Sequence, residues 1–229
     1  MNIKNFYEIL YEEFGDLNWW PVDINYHKNN KTDPRFEIII GTILTQNTAW
    51  SNAEKALKKL KENKILDLKS LNNIKINKLK NYIKSSGYYN QKADRILNLI
   101  KYFNRHYKNN IDDFLKNDVY EIRKELLDLN GIGPETADSI LLYAGNKPIF
   151  VVDAYTKRIC KRIPLNKYET YDEIQKYFHH EFSKYYKSYE LTKIYNQMHA
   201  MIVIFAKNYC KKKPLCKNCP IKNQCKFKK

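Results

Sequence analysis

The stretch LNGIGPETADSILLYAGNKPIFVVDAYTKRI, residues 129–159, predicts two helices joined by a glycine turn. The first helix ends near Leu129, and Pro134 suits the first position of the second helix. Gly131 and Gly133 permit backbone angles that other residues avoid, and they leave the main-chain N–H groups of the turn uncovered by side chains. Such amides at a helix N-terminus form a concavity for one phosphate. An ordinary glycine-rich turn between two helices is the alternative.

Helical patterns dominate the rest of the chain as well. Apolar residues recur at three- and four-residue spacing in segments such as 36–46 and 190–206. Asp33 followed by Pro34 predicts the start of a buried helix that continues to about Asn47. The β-branched run at 148–152 has no partner run elsewhere and predicts an extended connector. Together these patterns predict an all-α protein of about ten helices with short connections.

The chain is strongly basic. Its 41 Lys and Arg residues outnumber 25 Asp and Glu residues, and the resulting net charge of +16 is spread along the whole sequence. Such a chain attracts a polyanion, either nucleic acid or an anionic membrane surface, and a solvated lysine-rich surface is the alternative. The sequence has no apolar run long enough to span a bilayer, and its N-terminus has no secretory or transit composition. We therefore expect a cytoplasmic protein.

Residues 129–159 resemble the helix-hairpin-helix and Gly/Pro-Asp signature of the endonuclease III superfamily of DNA glycosylases. Residues 36–57 are similar to the early helix of that family and its L-x-x-Q-x-T segment, and the C-terminal cysteines match its cluster loop. The resemblance implies a base-excision-repair enzyme that acts as a monomer on double-stranded DNA containing a damaged base, associated with the nucleoid in a prokaryote. The matching signature positions are Gly131, Gly133, Thr136, Ala137, Pro148, Val152 and Asp153.

The same resemblance implies two all-helical lobes with DNA bound between them. Residues 33–146 are predicted to form a six-helix bundle that ends in the hairpin. Residues 1–32 and 147–229 are predicted to form the second lobe, which carries the cysteine loop at 210–225. The residues expected to contact DNA are Gly131, Gly133 and Thr136 of the hairpin, Gln46, and Lys211, Lys212 and Lys213 of the loop.

Four cysteines lie within sixteen residues, at Cys210, Cys216, Cys219 and Cys225, and Cys160 stands apart. In a cytoplasmic chain such a group is more typical of metal binding than of disulfides. Structural zinc usually takes two C-x-x-C pairs, whereas here one pair is flanked by single cysteines, which favours a [4Fe–4S] cluster and keeps zinc as the alternative. The family's loop normally has six residues in its first gap, and this one has five. Cys160 is predicted to be a small buried apolar residue.

Asp153 is the predicted catalytic residue. Cleaving a base from deoxyribose builds positive charge on the sugar, so a fixed carboxylate beside C1′ stabilises the oxocarbenium-like state and can orient or deprotonate the attacking water. The alternative is that Asp153 only caps the helix that follows it. A cap would also hold the carboxylate rigid, so the two roles are compatible.

Glu135 departs from one branch of the family. Members that also nick the DNA backbone place a lysine two residues beyond the second hairpin glycine, where its amine forms a Schiff base with C1′. A carboxylate cannot form an imine, so Glu135 predicts a monofunctional glycosylase that leaves an abasic site. Two alternatives stay open: Glu135 as a first-turn acid that favours the helix dipole, and Lys157 or Lys207 as the amine of a bifunctional glycosylase and lyase acting on oxidised or deaminated bases.

Tryptophans flank the segments that the family places beside the lesion. The segments carrying Trp19, Trp20, Pro21 and Trp50 are similar to the third class of 3-methyladenine glycosylases, in which aromatic side chains sandwich the alkylated base. With Glu135 as a counter-charge, these residues predict a pocket for an alkylated purine such as 3-methyladenine. Core packing is the alternative for any single tryptophan.

Gln46 has two interpretations as well. It resembles the family residue that fills the hole left in the duplex by the extruded base, and a buried helical glutamine is the alternative. Two further classes of function are open on the sequence alone. A non-catalytic binder of DNA structures would keep the hairpin and the charge without needing Asp153. An electron-transfer protein would need only the cysteine loop.

Overall fold

The computed structural model describes residues 1–163, 165–225 and 227, and in this part of the chain it contains helices and no strand. The predicted all-α class is confirmed. The run at 148–152 forms no strand within the same described residues, as expected of a connector, and the Phe150 N–H and carbonyl bond instead to the side chains of His179 and Gln175. No helix among them is long and apolar enough to cross a membrane.

The chain divides into two compact units. The bundle unit comprises Trp20–Gly145, and the terminal unit comprises Met1–Trp19 with Asn146–Lys229. The helices of the bundle unit are α2 (Ile24–Asn30), α3 (Pro34–Leu44), α4 (Trp50–Glu62), α5 (Leu68–Asn73), α6 (Ile76–Tyr82), α7 (Tyr89–Tyr107), α8 (Ile111–Leu115), α9 (Val119–Leu127) and α10 (Pro134–Ser139), which continues as a π-helical turn (Ile140–Ala144). The helices of the terminal unit are α1 (Ile3–Phe14), α11 (Ala154–Arg162), α12 (Tyr171–Ser183) and α13 (Ser188–Asn208).

Helix α3 forms the centre of the bundle unit. Nine of its eleven residues are buried, and it packs against α4, α7, α10 and the π-helical turn. Its start is as predicted, because the Asp33 side chain accepts the Arg35 N–H and Pro34 occupies the first turn. It ends at Leu44, before the predicted Asn47, because Asn47 has a left-handed φ of 52° that no α-helix accommodates. The short helices α2 and α8 were not predicted.

The first boundary between the units differs from the predicted one. Residues 20–32 belong to the bundle unit, although the sequence placed them with the termini. A buried polar cluster explains the difference: Glu37 of α3 binds His27 Nε2 at 2.9 Å, Lys61 Nζ at 2.9 Å and the Asp23 N–H at 3.1 Å. Because a buried carboxylate is costly without partners, these contacts fix α2 to the bundle.

Helix α13 is the core of the terminal unit. Most of its second half is buried, and α1, α11 and α12 pack against it. Helix α12 begins with a capping box in which Thr170 and Glu173 satisfy each other's backbone N–H groups. The start of α11, where Asp153 lies, is beside the middle of α13.

Candidate functional site

Asp153 closes the extended segment 148–152 and caps helix α11. Its Oδ1 accepts hydrogen bonds from the Thr156 N–H at 2.7 Å and from the Thr156 hydroxyl at 2.9 Å. The residue is 8% exposed, and Phe150 and Val152 just before it are buried. The capping interpretation is therefore confirmed as geometry. It holds the carboxylate in one orientation and leaves Oδ2 available for other contacts.

His199 of α13 supplies the contact to the other carboxylate oxygen. Its Nε2 lies 3.6 Å from Asp153 Oδ2, and both side chains are buried. Burial alone would raise the pKa of Asp153, but the nearby His199 imidazole, together with the two hydrogen bonds from Thr156, outweighs it and holds the pKa below its usual value. The carboxylate is thus an anion at neutral pH. His199 was missed because one histidine in an apolar helix gives no pattern that points to a residue on another helix.

The hairpin turn connects α9 and α10 as predicted. Asp118 caps α9 by accepting the N–H groups of Tyr120 and Glu121. Gly131 has a left-handed φ of 85°, which favours glycine. Gly133 is the N-cap residue of α10, with an extended φ of −93° that any residue adopts, and a Cβ built there would meet nothing within 4 Å in the described part of the chain. The space in front of Gly133 can therefore accept a group from outside the protein.

Gln46 and Thr136, both predicted to contact DNA, bind each other inside the bundle unit. Gln46 Nε2 donates to Thr136 Oγ1 at 2.9 Å and to the Gly131 carbonyl at 3.0 Å. Arg95 of α7 donates from Nη1 to Gln46 Oε1 at 2.5 Å. Thr136 is only 7% exposed. In this structure both side chains support the turn from within, and Arg95 is a member of the site that the sequence did not indicate.

The tryptophans are not arranged as the parallel walls that were predicted. The Trp20 and Trp50 rings meet edge to face, with centroids 5.4 Å apart and planes at 82°, so no flat base fits between them. Trp20 also packs against Tyr143, with ring centroids 5.5 Å apart, and its ring would lie 3.1 Å from a Cβ on Gly41. The structure therefore corrects the predicted sandwich of Trp20 and Trp50, because packing against α3 and the π-helical turn decides the orientation of Trp20.

Trp50 differs from Trp20 in that it lines an open groove. It begins α4 and lines an open groove of about 700 Å³ in the bundle unit together with Pro21, Glu54 and Lys58. Trp19 belongs to the terminal unit, so the pair Trp19 and Trp20 spans the boundary between the units in sequence.

Glu135 is exposed in the first turn of α10, where its negative charge interacts favourably with the helix dipole.

The four loop cysteines all line one small cavity. Its walls also include the apolar side chains of Ile163, Phe205 and Ile221. Burial raises the pKa of the Cys219 thiol, and the proximity of the other three thiols raises it further. No three His, Cys, Asp or Glu side chains among the described residues are placed to hold a single metal ion. The four cysteines that line this cavity supply the number and kind of donors that a [4Fe–4S] cluster requires.

Two arginines of α11 hold the backbone of the loop. Arg158 Nε donates to the Cys210 carbonyl at 2.9 Å, and Arg162 Nη2 donates to the Lys212 carbonyl at 2.9 Å. The side chains of Lys211, Lys212 and Lys213 are exposed. Cys160 lies apart from the loop and is 3% exposed, and burial raises the pKa of its thiol to about 11. It behaves as the predicted apolar residue.

Comparison with known proteins supports the resemblance to the DNA glycosylases that the sequence indicated. Residues 40–184 match the HhH-GPD family, described as the HhH-GPD superfamily of base excision DNA repair proteins. A protein of Methanocaldococcus jannaschii, whose name assigns it to the DNA repair glycosylases, is 42% identical over 226 residues, which cover 97% of this chain and 95% of that protein. The endonuclease III of Thermotoga maritima is 32% identical over 203 residues and covers 88% of this chain and 87% of its own length.

Solved structures show the same fold. The H. pylori 3-methyladenine DNA glycosylase bound to 1,N6-ethenoadenine has a TM-score of 0.72 and 28% identity, and the match covers 90% of this chain and 98% of that one. A non-covalent complex of an endonuclease III with DNA has a TM-score of 0.78 and 22% identity, over 98% and 94% of the two chains. This chain therefore belongs to the HhH-GPD superfamily and is a base-excision-repair DNA glycosylase.

Proposed function

We propose that this glycosylase is monofunctional and removes alkylated purines, with Asp153 as its catalytic carboxylate. The observation that supports this assignment most directly is the environment of Asp153. One of its oxygens is fixed by Thr156 and the other lies beside His199, so a single buried anion is held rigidly at the start of α11.

The lowered pKa of Asp153 favours electrostatic stabilisation over proton abstraction. A carboxylate with a pKa below its usual value is a weak base, but it remains charged and can stabilise the positive charge that develops on the sugar. In the reaction the bond between C1′ and the base nitrogen breaks, and its electron pair leaves with the base. Water then forms the new bond to C1′ and releases its proton to the solvent. The products are the free base and an abasic site.

Alkylated purines fit this chemistry best. A methylated purine is already cationic, so its glycosidic bond is weak and the enzyme needs little protonation of the leaving group. An aromatic ring such as Trp50 attracts a cationic base, and Glu135 adds a negative charge in the hairpin. The 28% identical H. pylori enzyme, named for 3-methyladenine and bound to a modified adenine, supports the same substrate class.

The monofunctional reaction rests on Glu135. A Schiff base requires a primary amine, and the position where the resemblance expects one carries a carboxylate. Water is then the nucleophile, and the DNA strand stays intact after base release. A bifunctional enzyme that uses Lys157 or Lys207 as the amine is the competing proposal.

We further propose that the cysteine loop holds a [4Fe–4S] cluster through Cys210, Cys216, Cys219 and Cys225. Thiolate donors are the ligands such a cluster requires, and when bound it would serve as a structural crosslink for the loop. The loop then presents Lys211, Lys212 and Lys213 to DNA phosphates, and the hairpin binds a further phosphate in front of Gly133.

The test measures bases released from methylated genomic DNA and from duplexes carrying uracil, thymine glycol or 8-oxoguanine. We expect methylpurine release by the wild type and a loss of at least about 100-fold with Asp153→Asn, because asparagine keeps the cap but not the charge. Asp118→Asn is the matched control, since it changes a cap on α9 in the same way.

A second test uses borohydride, which should trap no covalent adduct between the enzyme and DNA. Release of neutral bases alone would contradict the substrate, and a strong trapped adduct would contradict the monofunctional reaction.

A further inference from the structure

Arg95 occupies the space beneath the hairpin turn. A Cβ built on Gly131 would lie 2.2 Å from Arg95 Nε and 2.6 Å from its Cδ and Cγ. The glycine therefore serves two purposes: it adopts the left-handed φ of 85°, and it leaves room for the arginine side chain. Gly133 differs, because the space beside it is open among the described residues. One glycine of the turn faces the protein and the other faces outward.

Gln46 links Arg95 to the turn with all of its hydrogen-bonding groups. Arginine can only donate, so the Arg95 contact at 2.5 Å fixes Oε1 as the acceptor and orients the amide. The two N–H bonds of Nε2 then point to the Gly131 carbonyl and to Thr136 Oγ1, at 3.0 and 2.9 Å. The amide thus joins the turn itself, the first turn of α10 and helix α7.

Helix α7 also fixes the segment that carries Gln46. Lys92, one turn before Arg95, is fully buried, and its Nζ donates to the carbonyls of Leu44 at 2.8 Å and Ser86 at 2.6 Å. Leu44 is the last residue of α3 and lies two residues before Gln46. Backbone and side chain of this segment are therefore both attached to α7.

We propose that Arg95 and Gln46 form an internal brace that fixes the hairpin turn in its phosphate-binding conformation, which makes Arg95 a positioning residue for DNA binding. This inference rests on the proposed binding of a DNA phosphate by the hairpin. A turn that is ordered before binding avoids the entropic cost of ordering it in the complex. The brace also gives Gln46 a role in the free enzyme. Entry of its side chain into the duplex would require breaking all three hydrogen bonds.

The experiment compares Arg95→Met, Gln46→Ala and the double variant by two measurements. The first is hydrogen exchange of the amides of residues 129–133, 135 and 136 in the free protein, and the second is affinity for an undamaged duplex and for a duplex with an abasic site. Arg105→Met is the matched control, because Arg105 is an exposed arginine on the same helix about 15 Å further along, at 1.5 Å per residue.

If the brace exists, each single variant accelerates exchange in the turn by about tenfold or more, and both duplexes bind about tenfold more weakly. The double variant is no worse than either single variant, because each one already breaks the brace. Arg105→Met leaves exchange in the turn unchanged and weakens binding no more than the loss of one surface charge does.

Unchanged exchange in both single variants would overturn the brace. Gln46→Ala that weakens only the abasic duplex, with exchange unchanged, would show instead that Gln46 acts only inside the duplex. Faster exchange with no change in either affinity would confirm the brace as a structural element, but it would refute its role in DNA binding.

Discussion

The hairpin turn and the cysteine loop each follow a helix and are each proposed to meet DNA, yet different interactions hold them in place. The hairpin is fixed by side chains of its own unit, through Gln46 and Arg95. The cysteine loop is attached by Arg158 and Arg162, but its four thiols only surround a cavity. Hydrogen bonds within the protein therefore hold the hairpin turn, whereas the cysteine loop is proposed to be completed by a metal cluster bound to its four thiolates.

Removing one cluster ligand should have the largest effect. We expect the wild-type protein, purified anaerobically, to contain about four irons and four sulfides per chain, and Cys216→Ser to lose them. Without the crosslink the lysines of the loop are no longer held together, so DNA affinity should fall by roughly 100-fold. Iron analysis, absorbance and a binding titration measure these changes.

Two controls accompany this variant. Cys160→Ala removes the cysteine outside the loop and should keep the full iron content. Hydrogen exchange at the hairpin should be the same in Cys216→Ser as in the wild type, because its contacts lie within the bundle unit. Stoichiometric zinc without iron would contradict the cluster, and a loosened hairpin would contradict the comparison.

The two hairpin glycines should respond differently to alanine. Gly131→Ala forces a left-handed residue and displaces Arg95, so we expect a loss of about 1–3 kcal/mol in the free energy of unfolding. Gly133→Ala is compatible with the backbone and should change stability by less than about 0.5 kcal/mol. Its methyl group would occupy the proposed phosphate position and weaken duplex binding about tenfold. Chemical denaturation and binding titrations separate the two effects, and equal destabilisation by both variants would contradict the assignment of an inward and an outward glycine.

The smallest effect near neutral pH is expected from His199→Asn. In the wild type His199 helps to hold the pKa of Asp153 below its usual value, so the carboxylate stays ionised, and its contribution to stability and activity is lost only as the pH falls through that low value. Without the imidazole the effect of burial dominates and the pKa rises. The acid limb of kcat/KM should therefore move to higher pH, with little loss at pH 8.

His180→Asn, a change at an exposed histidine of α12 in the same unit, should leave this pH profile unchanged. An acid limb at the same pH in wild type and His199→Asn would show that His199 does not influence the ionisation of Asp153. Thr156 would then be the residue that holds the Asp153 carboxylate in its ionised form.

The sequence was sufficient for features that depend on neighbouring residues. The cap at Asp33 and Pro34, the glycine turn and the cap at Asp153 each follow from local backbone preferences, and the structure reproduces them. The cysteine spacing likewise identified four residues that line one cavity. The edge-to-face contact of Trp20 and Trp50 was not predictable in this way, because the orientation of a ring depends on packing against Gly41 and Tyr143, far away in the chain.

By itself the sequence determined the helical class, the hairpin turn and the family, because periodicity, capping and motif spacing are local properties. The tertiary structure decided which side chains meet. Only the fold brings His199 to Asp153 and Arg95 to Gln46 and Gly131. These partners lie on helices distant in sequence, and each is a common residue in an ordinary helix. Their effect arises from proximity in a buried environment, which the linear order of the chain does not encode in any short pattern.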